Sequence, residues 1–437
     1  MKLDASVLKI PGFRRLWASQ VASLAATNIL TFAFVLAVYA HSKSNAAVAV
    51  LVGMQSIPPI LFSSLAGVLA DSYDRRRVLI FVHLTRAASV VLAIIFAKWT
   101  LGVLLAAFIM HTLSQLFTPA TSAAIPQVVP KEKLFAANSF FTLTTYALFL
   151  IGYGAAAPLI DLFGDRLTYA IGLMFYLLAV LVAYRLPELA DHLAKLKEPR
   201  LALAKHLRLV WVRFVEGVKY VRKDAIIGVL LLQVSILIAV EKSFASLMPS
   251  FALDFLGFRV RDITLVFIIP TAVGTLLGVF LANKLKHRIP LHRLVTFGIT
   301  LDALALLLAI AIVPLAHWLP DLIPAFSPNG VRLALVILLA GASGFADPFI
   351  LVSAQTVLQD RTPNHEQGRV FGLQNTVQNL FAFVPVIGIG ALSGIIAVPA
   401  VITSLGAIVG ITAIAGAVFF HKHQLTTGQM ERHKLPE

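Results

Sequence analysis

The sequence contains no cysteine among its 437 residues, and only 13% of the residues are charged. The absence of cysteine excludes disulfides, thiol catalysis and cysteine-ligated metal sites. The shortage of charge excludes a soluble protein of this size, because a surface in water carries more charged side chains. The chain also has no glycine-rich phosphate loop followed by Lys and Ser or Thr, which excludes an ATP-hydrolysing engine. We therefore expect no cofactor, no metal and no enzymatic activity.

Long apolar runs are what the sequence has instead. Apolar residues make up 59% of the chain, and the mean hydropathy is +0.87. A run of about 20 such residues crosses a bilayer core of about 30 Å as a helix. The runs predict an all-α membrane protein with twelve transmembrane helices, at about 16–40, 46–70, 78–97, 101–125, 135–160, 167–185, 225–253, 262–282, 292–316, 331–356, 370–394 and 398–420.

The basic residues indicate how the chain crosses the membrane. The sequence has 36 Lys and Arg against 21 Asp and Glu, for a formal net charge of +15. With the N-terminus inside, the outer loops carry only six of the basic residues, namely Lys43, Lys98, Arg166, Arg259, Arg261 and Arg332. This asymmetry is that of the positive-inside rule and predicts cytoplasmic termini. The charge orients the protein, and we expect no nucleic-acid partner.

The longest polar stretch divides the chain into halves. It covers about 186–224 and leaves six predicted spans on each side. We predict an N-terminal six-helix bundle at 1–185, a cytoplasmic linker with an amphipathic helix at 186–224, and a C-terminal six-helix bundle at 225–437. Equal halves joined by an inner linker imply a parallel repeat, related by an axis along the membrane normal.

A short acidic-then-basic loop follows the second span. It reads from Gly67 through Asp71 to Arg75, Arg76 and Arg77. Glycine lets another helix approach closely, and an aspartate can accept hydrogen bonds from the N-terminus of a neighbouring helix. The segment closely resembles the signature loop between helices 2 and 3 of the major facilitator superfamily. A weaker copy, from Gly278 to Asn283, follows the eighth span.

Two other stretches resemble the prokaryotic exporter branch of that superfamily, which includes macrolide-efflux-like permeases and lysophospholipid transporters. They run from Phe117 to Asn138 and from Gly368 to Asn379. The resemblance implies alternating access, in which two bundles rock about a central site and the inner loops form part of the gate. Asn364 and Gln367 have the spacing of a capping box and predict the start of helix 11. The gating residues we expect are Gly67, Asp71, Arg75, Arg76, Asn364, Gly372 and Asn375.

Ionisable residues inside the spans are the strongest candidates for chemistry. Glu241 and Lys242 lie near the middle of span 7, where a charge costs roughly 3 kcal/mol unless it is paired or hydrated. As sequence neighbours they point about 100° apart on a helix. Glu241 is a candidate to carry a proton or bind a cation, and Lys242 a candidate to bind a phosphate or carboxylate. The alternative for each is a packing contact with another helix. We interpret Asp347 as a cavity residue and Asp302 as a structural partner.

Polar side chains on spans 1 and 4 form a second set of candidates, comprising Gln20, Asn28, Thr31, His111 and Gln115. They either line a cavity and bind substrate or hydrogen-bond to neighbouring helices. We predict that Arg86, in span 3, extends to the inner headgroups. Drug–proton antiporters of the resembled family often carry an acid in helix 1 and an arginine in helix 4, and this chain has neither. A coupled proton would then require Glu241 or Asp347.

These observations predict a secondary transporter in a prokaryotic cytoplasmic membrane that exports amphiphilic or hydrophobic small molecules. The driving force is an ion gradient, with protons one candidate, or the gradient of the cargo itself. A lysophospholipid transporter is the first alternative, and a non-transporting membrane sensor or scaffold is a distant one. The expected partners are the small molecule or lysolipid and the membrane lipids, and we expect a monomer.

Overall fold

A computed structural model describes residues 5–62, 73–189, 224–286, 288–322, 327–362 and 364–432, together with Val212, Val215 and Lys219. The chain forms two units, one of Met1–Trp211 with Arg259–Thr264 and the other of Val212–Phe258 with Leu265–Glu437. We call them the N-terminal and C-terminal units. Most of the predicted linker, including its amphipathic helix, lies outside the described residues.

The described part of the N-terminal unit contains six helical segments, and the second of them continues after a turn at 55–56 to Phe62, which gives a span of 18 residues. The first four helices are α1 (Pro11–Ser42), α2 (Asn45–Met54), α3 (Arg75–Ile95) and α4 (Thr100–Val128). A fifth helical stretch, Leu134–Tyr184, is broken at Gly164, whose φ of 69° lies in the left-handed region that glycine adopts without strain. We label its two parts α5 (134–163) and α6 (165–184). The break falls between the predicted spans 5 and 6.

Among the residues that the structure describes, the C-terminal unit contains six long helices, α7 (Ala225–Ser250), α8 (Ile269–Leu285), α9 (Leu291–Leu308), α10 (Pro328–Arg361), α11 (Asn364–Leu392) and α12 (Val398–Arg432). Some of these ends are irregular. A π-helical turn, Phe251–Phe255, follows α7, and another, Thr264–Ile268, precedes α8. A 3-10 turn and the helix Ile312–Leu322 continue α9. Helix α11 begins at Asn364, the residue where we predicted its start.

The helices have the length and composition of membrane spans. Within the described part of the chain, 11 helices are long and apolar enough to cross a bilayer. One of them is the stretch that Gly164 divides, so that it supplies two crossings. The all-α, twelve-helix fold predicted from the apolar runs is thereby confirmed.

Glycines let the helices of each unit approach closely. A Cβ atom on Gly152 of α5 would lie 2.5 Å from the Cβ of Asn28, and one on Gly172 of α6 would lie 2.6 Å from the Cγ of Leu30. Through these contacts α5 and α6 pack closely against α1. Small residues allow such packing where no hydrophobic effect drives helices together. As a result, α1 is largely buried.

In the C-terminal unit, α8 packs on α10 through glycines from both helices. A Cβ on Gly274 would overlap the carbonyl of Gly341, and one on Gly344 would overlap the carbonyl of Thr271. Gly278, which belongs to the weaker copy of the signature loop, lies against the carbonyl of Phe345 in the same way. These three contacts set the distance between α8 and α10.

Candidate functional site

A row of hydroxyl groups on α1 hydrogen-bonds to α3 and α6. Ser19 lies 3.1 Å from Nε2 of His83 and donates to the carbonyl of Ala179. Two turns along, Thr27 lies 2.8 Å from the hydroxyl of Tyr176. Ser19, Ser23 and Thr27 follow a four-residue spacing, which places them on one helical face. That face of α1 is therefore engaged within the N-terminal unit.

Arg86 on α3 is the charged member of this network. Its side chain is 1% exposed, and it donates to Ser23 at 2.9 Å and to Ser114 at 2.6 Å. The guanidinium carbon also lies 5.0 Å from the ring centroid of Phe117 and 5.8 Å from that of Tyr176. The prediction that Arg86 extends to the inner headgroups is wrong, because hydroxyls and ring faces inside the bundle solvate the guanidinium.

The other polar candidates of the N-terminal unit divide by exposure. Gln20 and Thr31 are buried; Gln20 donates to Thr145 of α5 at 3.1 Å, and Thr31 donates to the carbonyl of its own α1 residue Thr27. Asn28, His111 and Gln115 are half-buried. The half-buried residues keep surface that a substrate could contact, whereas the buried ones take part in packing.

The C-terminal unit contains three carboxyl groups on three helices, and we call Glu241, Asp302 and Asp347 the carboxyl cluster. Glu241 of α7 and Asp347 of α10 lie on helices that pack together, close enough for their charges to interact. Both are half-buried, whereas Asp302 of α9 is 2% exposed. The Oε1 atom of Glu241 is buried and has no hydrogen-bond partner among the described residues. A proton or a polar ligand group would satisfy this atom.

Lys242 points to a different helix from its neighbour. Its ammonium group donates to Oδ1 of Asn379 on α11 at 3.1 Å. Asn379 in turn donates to the side chain of Asn375 at 2.9 Å. The divergence predicted for Glu241 and Lys242 is thus present, with the acid directed to α10 and the base to α11. Asn375, predicted as a gating residue, belongs to this polar chain.

The N-terminal ends of α3 and α7 have acidic caps that sequence reasoning missed. Asp74 caps α3 by accepting from the backbone N–H of Arg76 at 2.9 Å, and it also accepts from the N–H of Leu189 at 3.1 Å. Asp224 caps α7, and Arg361 at the end of α10 lies 2.9 Å from it. An acidic residue directly before an apolar run is the sequence signal that would have found Asp224, whereas three arginines separate Asp74 from the apolar residues of α3.

The predicted gating residues lie at several places. Arg75 is buried, and Arg76 donates to the carbonyl of Tyr184 and lies over its ring at 5.2 Å. Gly67 and Asp71 lie outside the described residues. Asn364 and Gly372 belong to α11, where the structure gives their backbone only.

Known proteins resemble this chain in sequence. A family model described as Major Facilitator Superfamily matches residues 16–386. Macrolide efflux protein A of Streptococcus pyogenes is 24% identical over 378 residues, which is 84% of this chain and 86% of that protein. The uncharacterized MFS-type transporter YfiS of Bacillus subtilis is 24% identical over 178 residues, or 40% of this chain and 42% of the relative.

Solved structures share the fold at lower identity. The nucleoside transporter NupG superposes with a TM-score of 0.68 at 14% identity and covers 93% of this chain and 98% of its own. A POT family transporter in complex with a thioalcohol-conjugated peptide gives a TM-score of 0.69 at 11% identity, covering 94% and 96%. At these identities the likeness establishes the fold alone.

Proposed function

The chain belongs to the Major Facilitator Superfamily, and we propose that it is a proton-driven exporter of amphiphilic or hydrophobic small molecules that works by alternating access. It is a transporter and not an enzyme. The proposal concerns the cargo, the driving ion and the direction of transport.

The observation that carries the proposal is the proximity of two half-buried carboxyl groups, Glu241 and Asp347, on the packed helices α7 and α10, with the buried Oε1 atom of Glu241 unpartnered among the described residues. Two ionised carboxylates that lie close together repel each other strongly inside a membrane protein, and the repulsion is removed when one of them holds a proton. Binding and release of that proton would change the net charge of the site by one unit. A charge change at a half-buried site is a physical means of coupling a proton to the movement of helices.

The cargo class is supported by two features. One of the relatives, macrolide efflux protein A, is named for the efflux of a macrolide. The half-buried side chains of Asn28, His111 and Gln115 give α1 and α4 a few polar groups among apolar ones. Sites for small molecules are lined in this manner, with apolar walls and few polar contacts.

A lysophospholipid is the second candidate cargo, and the Lys242–Asn379 pair favours it. An ammonium group and neighbouring amides bind a phosphate by charge-assisted hydrogen bonds. In that case the phosphate would contact Lys242, while the acyl chain stayed in an apolar environment. A cationic cargo would instead require Glu241.

Transport into proteoliposomes separates these candidates. A labelled lysolipid and a cationic dye are tested with and without a pH gradient, in the wild type and in the variants Glu241→Gln, Asp347→Asn and Lys242→Gln. Glu132→Gln serves as the control, because Glu132 is an exposed carboxylate outside the cluster. We expect Glu241→Gln to abolish gradient-driven dye transport and Glu132→Gln to leave it unchanged. Full coupling in Glu241→Gln and Asp347→Asn would refute the proton proposal.

The two cargoes leave different signatures in the same experiment. If the wild type transported lysolipid but not the dye, and Lys242→Gln lost lysolipid transport, the cargo would be the lysolipid and not a drug-like cation. If neither probe moved under any gradient, the result would favour the distant alternative, a non-transporting membrane sensor or scaffold.

We also propose a monomer in a prokaryotic cytoplasmic membrane with both termini inside. The chain has no cysteine, so that a single introduced cysteine reports its own side of the membrane. An impermeant maleimide added outside should label Lys98→Cys and should not label Lys131→Cys, both of which are exposed sites. The opposite labelling would show that both termini lie outside and would refute the proposed orientation.

A further inference from the structure

We infer that Asp302 is a positioning residue for the coupled proton, and that its negative charge determines how tightly the Glu241–Asp347 pair holds that proton. The inference rests on the proton coupling proposed above. It changes the role that sequence analysis gave to Asp302, which was that of a structural partner.

The surroundings of Asp302 are those of a buried anion with one hydrogen bond. Its side chain is 2% exposed, and the hydroxyl of Ser343 on α10 donates to Oδ1 at 2.5 Å. No ion pair joins Asp302 to a basic side chain within the described part of the chain. A structural aspartate at this depth would be expected to have a cation or several donors.

Packing of α9 against α10 fixes where this carboxyl points. Gly298, one turn before Asp302, lies so close to α10 that an added Cβ would be 2.8 Å from the carbonyl of Ala346. Ser343 and Asp347 lie four residues apart on α10 and share a helical face. Ser343 therefore connects Asp302 to the face of α10 that bears Asp347.

The charges around Asp302 come from α10, which packs against α9, and from α7, which packs against α10. Asp347 on α10 and Glu241 on α7 both interact electrostatically with Asp302, and Lys242 lies beside Glu241. From α12, the residue that lies close to this part of α9 is Gly410, near Ala303. Asp302, itself buried, thus adds negative charge close to the pair.

Removal of this charge has a predictable direction. An anion near the pair favours the bound proton, so that its loss requires a more acidic solution for the same proton occupancy. Asp302→Asn should move the pH of half-maximal coupled transport down by about one unit. Ser343→Ala removes the hydrogen bond that stabilises the charged carboxylate and should move it in the same direction by a smaller amount. Ser343→Thr keeps the hydroxyl and should behave as the wild type.

The experiment measures gradient-driven transport in proteoliposomes as a function of pH for these three variants, with Asp254→Asn as an exposed carboxylate control. Exchange of cargo at equal pH on both sides verifies that each variant folds and binds. An unchanged pH midpoint in Asp302→Asn and Ser343→Ala would overturn the inference, even if thermal stability fell. If Asp302→Asn does not fold, the pH midpoints of Ser343→Ala and Ser343→Thr test the inference, and equal midpoints in these two variants would overturn it. Glu241→Gln tests the proposed coupling separately, because retained coupling there refutes it whatever Asp302 does.

Discussion

Arg86 on α3 donates a hydrogen bond to Ser23 on α1 at 2.9 Å, and both side chains are buried. The bond places a full positive charge inside the N-terminal unit, held by two hydroxyls and two aromatic rings. Its Nε atom has no hydrogen-bond partner among the described residues. Breaking one of these contacts therefore has a different energetic consequence from removing the charge itself.

Ser23→Ala should destabilise the protein more than Arg86→Met does. The first variant leaves a buried guanidinium N–H unpaired, at a cost of about 1–3 kcal/mol. The second removes the charge with its desolvation cost and keeps an apolar side chain of similar length, which is often close to neutral. Thermal unfolding in detergent measures both effects.

The control for this comparison is Thr112→Ala. Thr112 bonds only to a carbonyl of its own helix, at 2.8 Å, so that its loss should change the melting temperature little. The double variant Ser23→Ala with Arg86→Met should be no less stable than Ser23→Ala alone. A larger loss in Arg86→Met than in Ser23→Ala would show that the ring contacts outweigh the hydrogen bonds.

Gly344→Ala should disrupt the packing of α8 on α10. The added methyl group would overlap the carbonyl of Thr271, a backbone atom that cannot turn aside. Overpacking of this kind costs typically about 1–3 kcal/mol. The matched control is Gly388→Ala on α11, where no atom lies within 4 Å of the new Cβ. Fluorescence-detected gel filtration should show less folded Gly344→Ala protein and normal amounts of Gly388→Ala. Equal yields would contradict the contact.

Much of the fold was predictable from the sequence because the bilayer imposes it. Apolar runs of fixed length identify spans, and the break at Gly164 separates two of them as expected. The start of α11 at Asn364 was also predictable, since a capping-box spacing is a local signal. The irregular backbone of Phe251–Phe255 and Thr264–Ile268 was not predicted, because hydrophobicity alone does not distinguish a π-helical turn from an α-helical one.

The candidate site was predictable in part. The depth of Glu241, Lys242 and Asp347 within their spans follows from sequence, as does the divergence of the first two. The partners do not follow, because the face that a helix presents depends on tertiary packing. For example, Arg86 bonds to Ser23, and Ser343 bonds to Asp302, because of how the neighbouring helices pack. Sequence reasoning therefore found the buried charges and mistook the environment of Arg86.

Asp224→Ala should weaken the N-terminal end of α7. The carboxylate accepts from the backbone N–H of Ile226 at 2.9 Å and pairs with Arg361. Loss of an N-terminal cap costs about 1 kcal/mol, whereas a half-exposed ion pair contributes less. Asp224→Ser keeps a capping oxygen and should retain most of the stability, and Arg361→Gln should have the smallest effect. Melting temperatures that rank Arg361→Gln as the most damaging variant would assign the main role to the ion pair.

Asp71→Asn should slow the switching of the transporter while leaving substrate affinity unchanged. The resemblance of the loop from Gly67 to Arg77 assigns Asp71 to the inner gate, where a carboxylate favours the positive end of a helix dipole. The neutral amide weakens that contact without altering the cargo site. Turnover and half-saturation concentration in proteoliposomes separate the two effects. Asp74→Asn is the matched control, because an asparagine oxygen caps α3 as well as the native carboxylate does. Equal slowing in both variants would indicate a general charge effect of the loop, and wild-type turnover in Asp71→Asn would remove this residue from the gate.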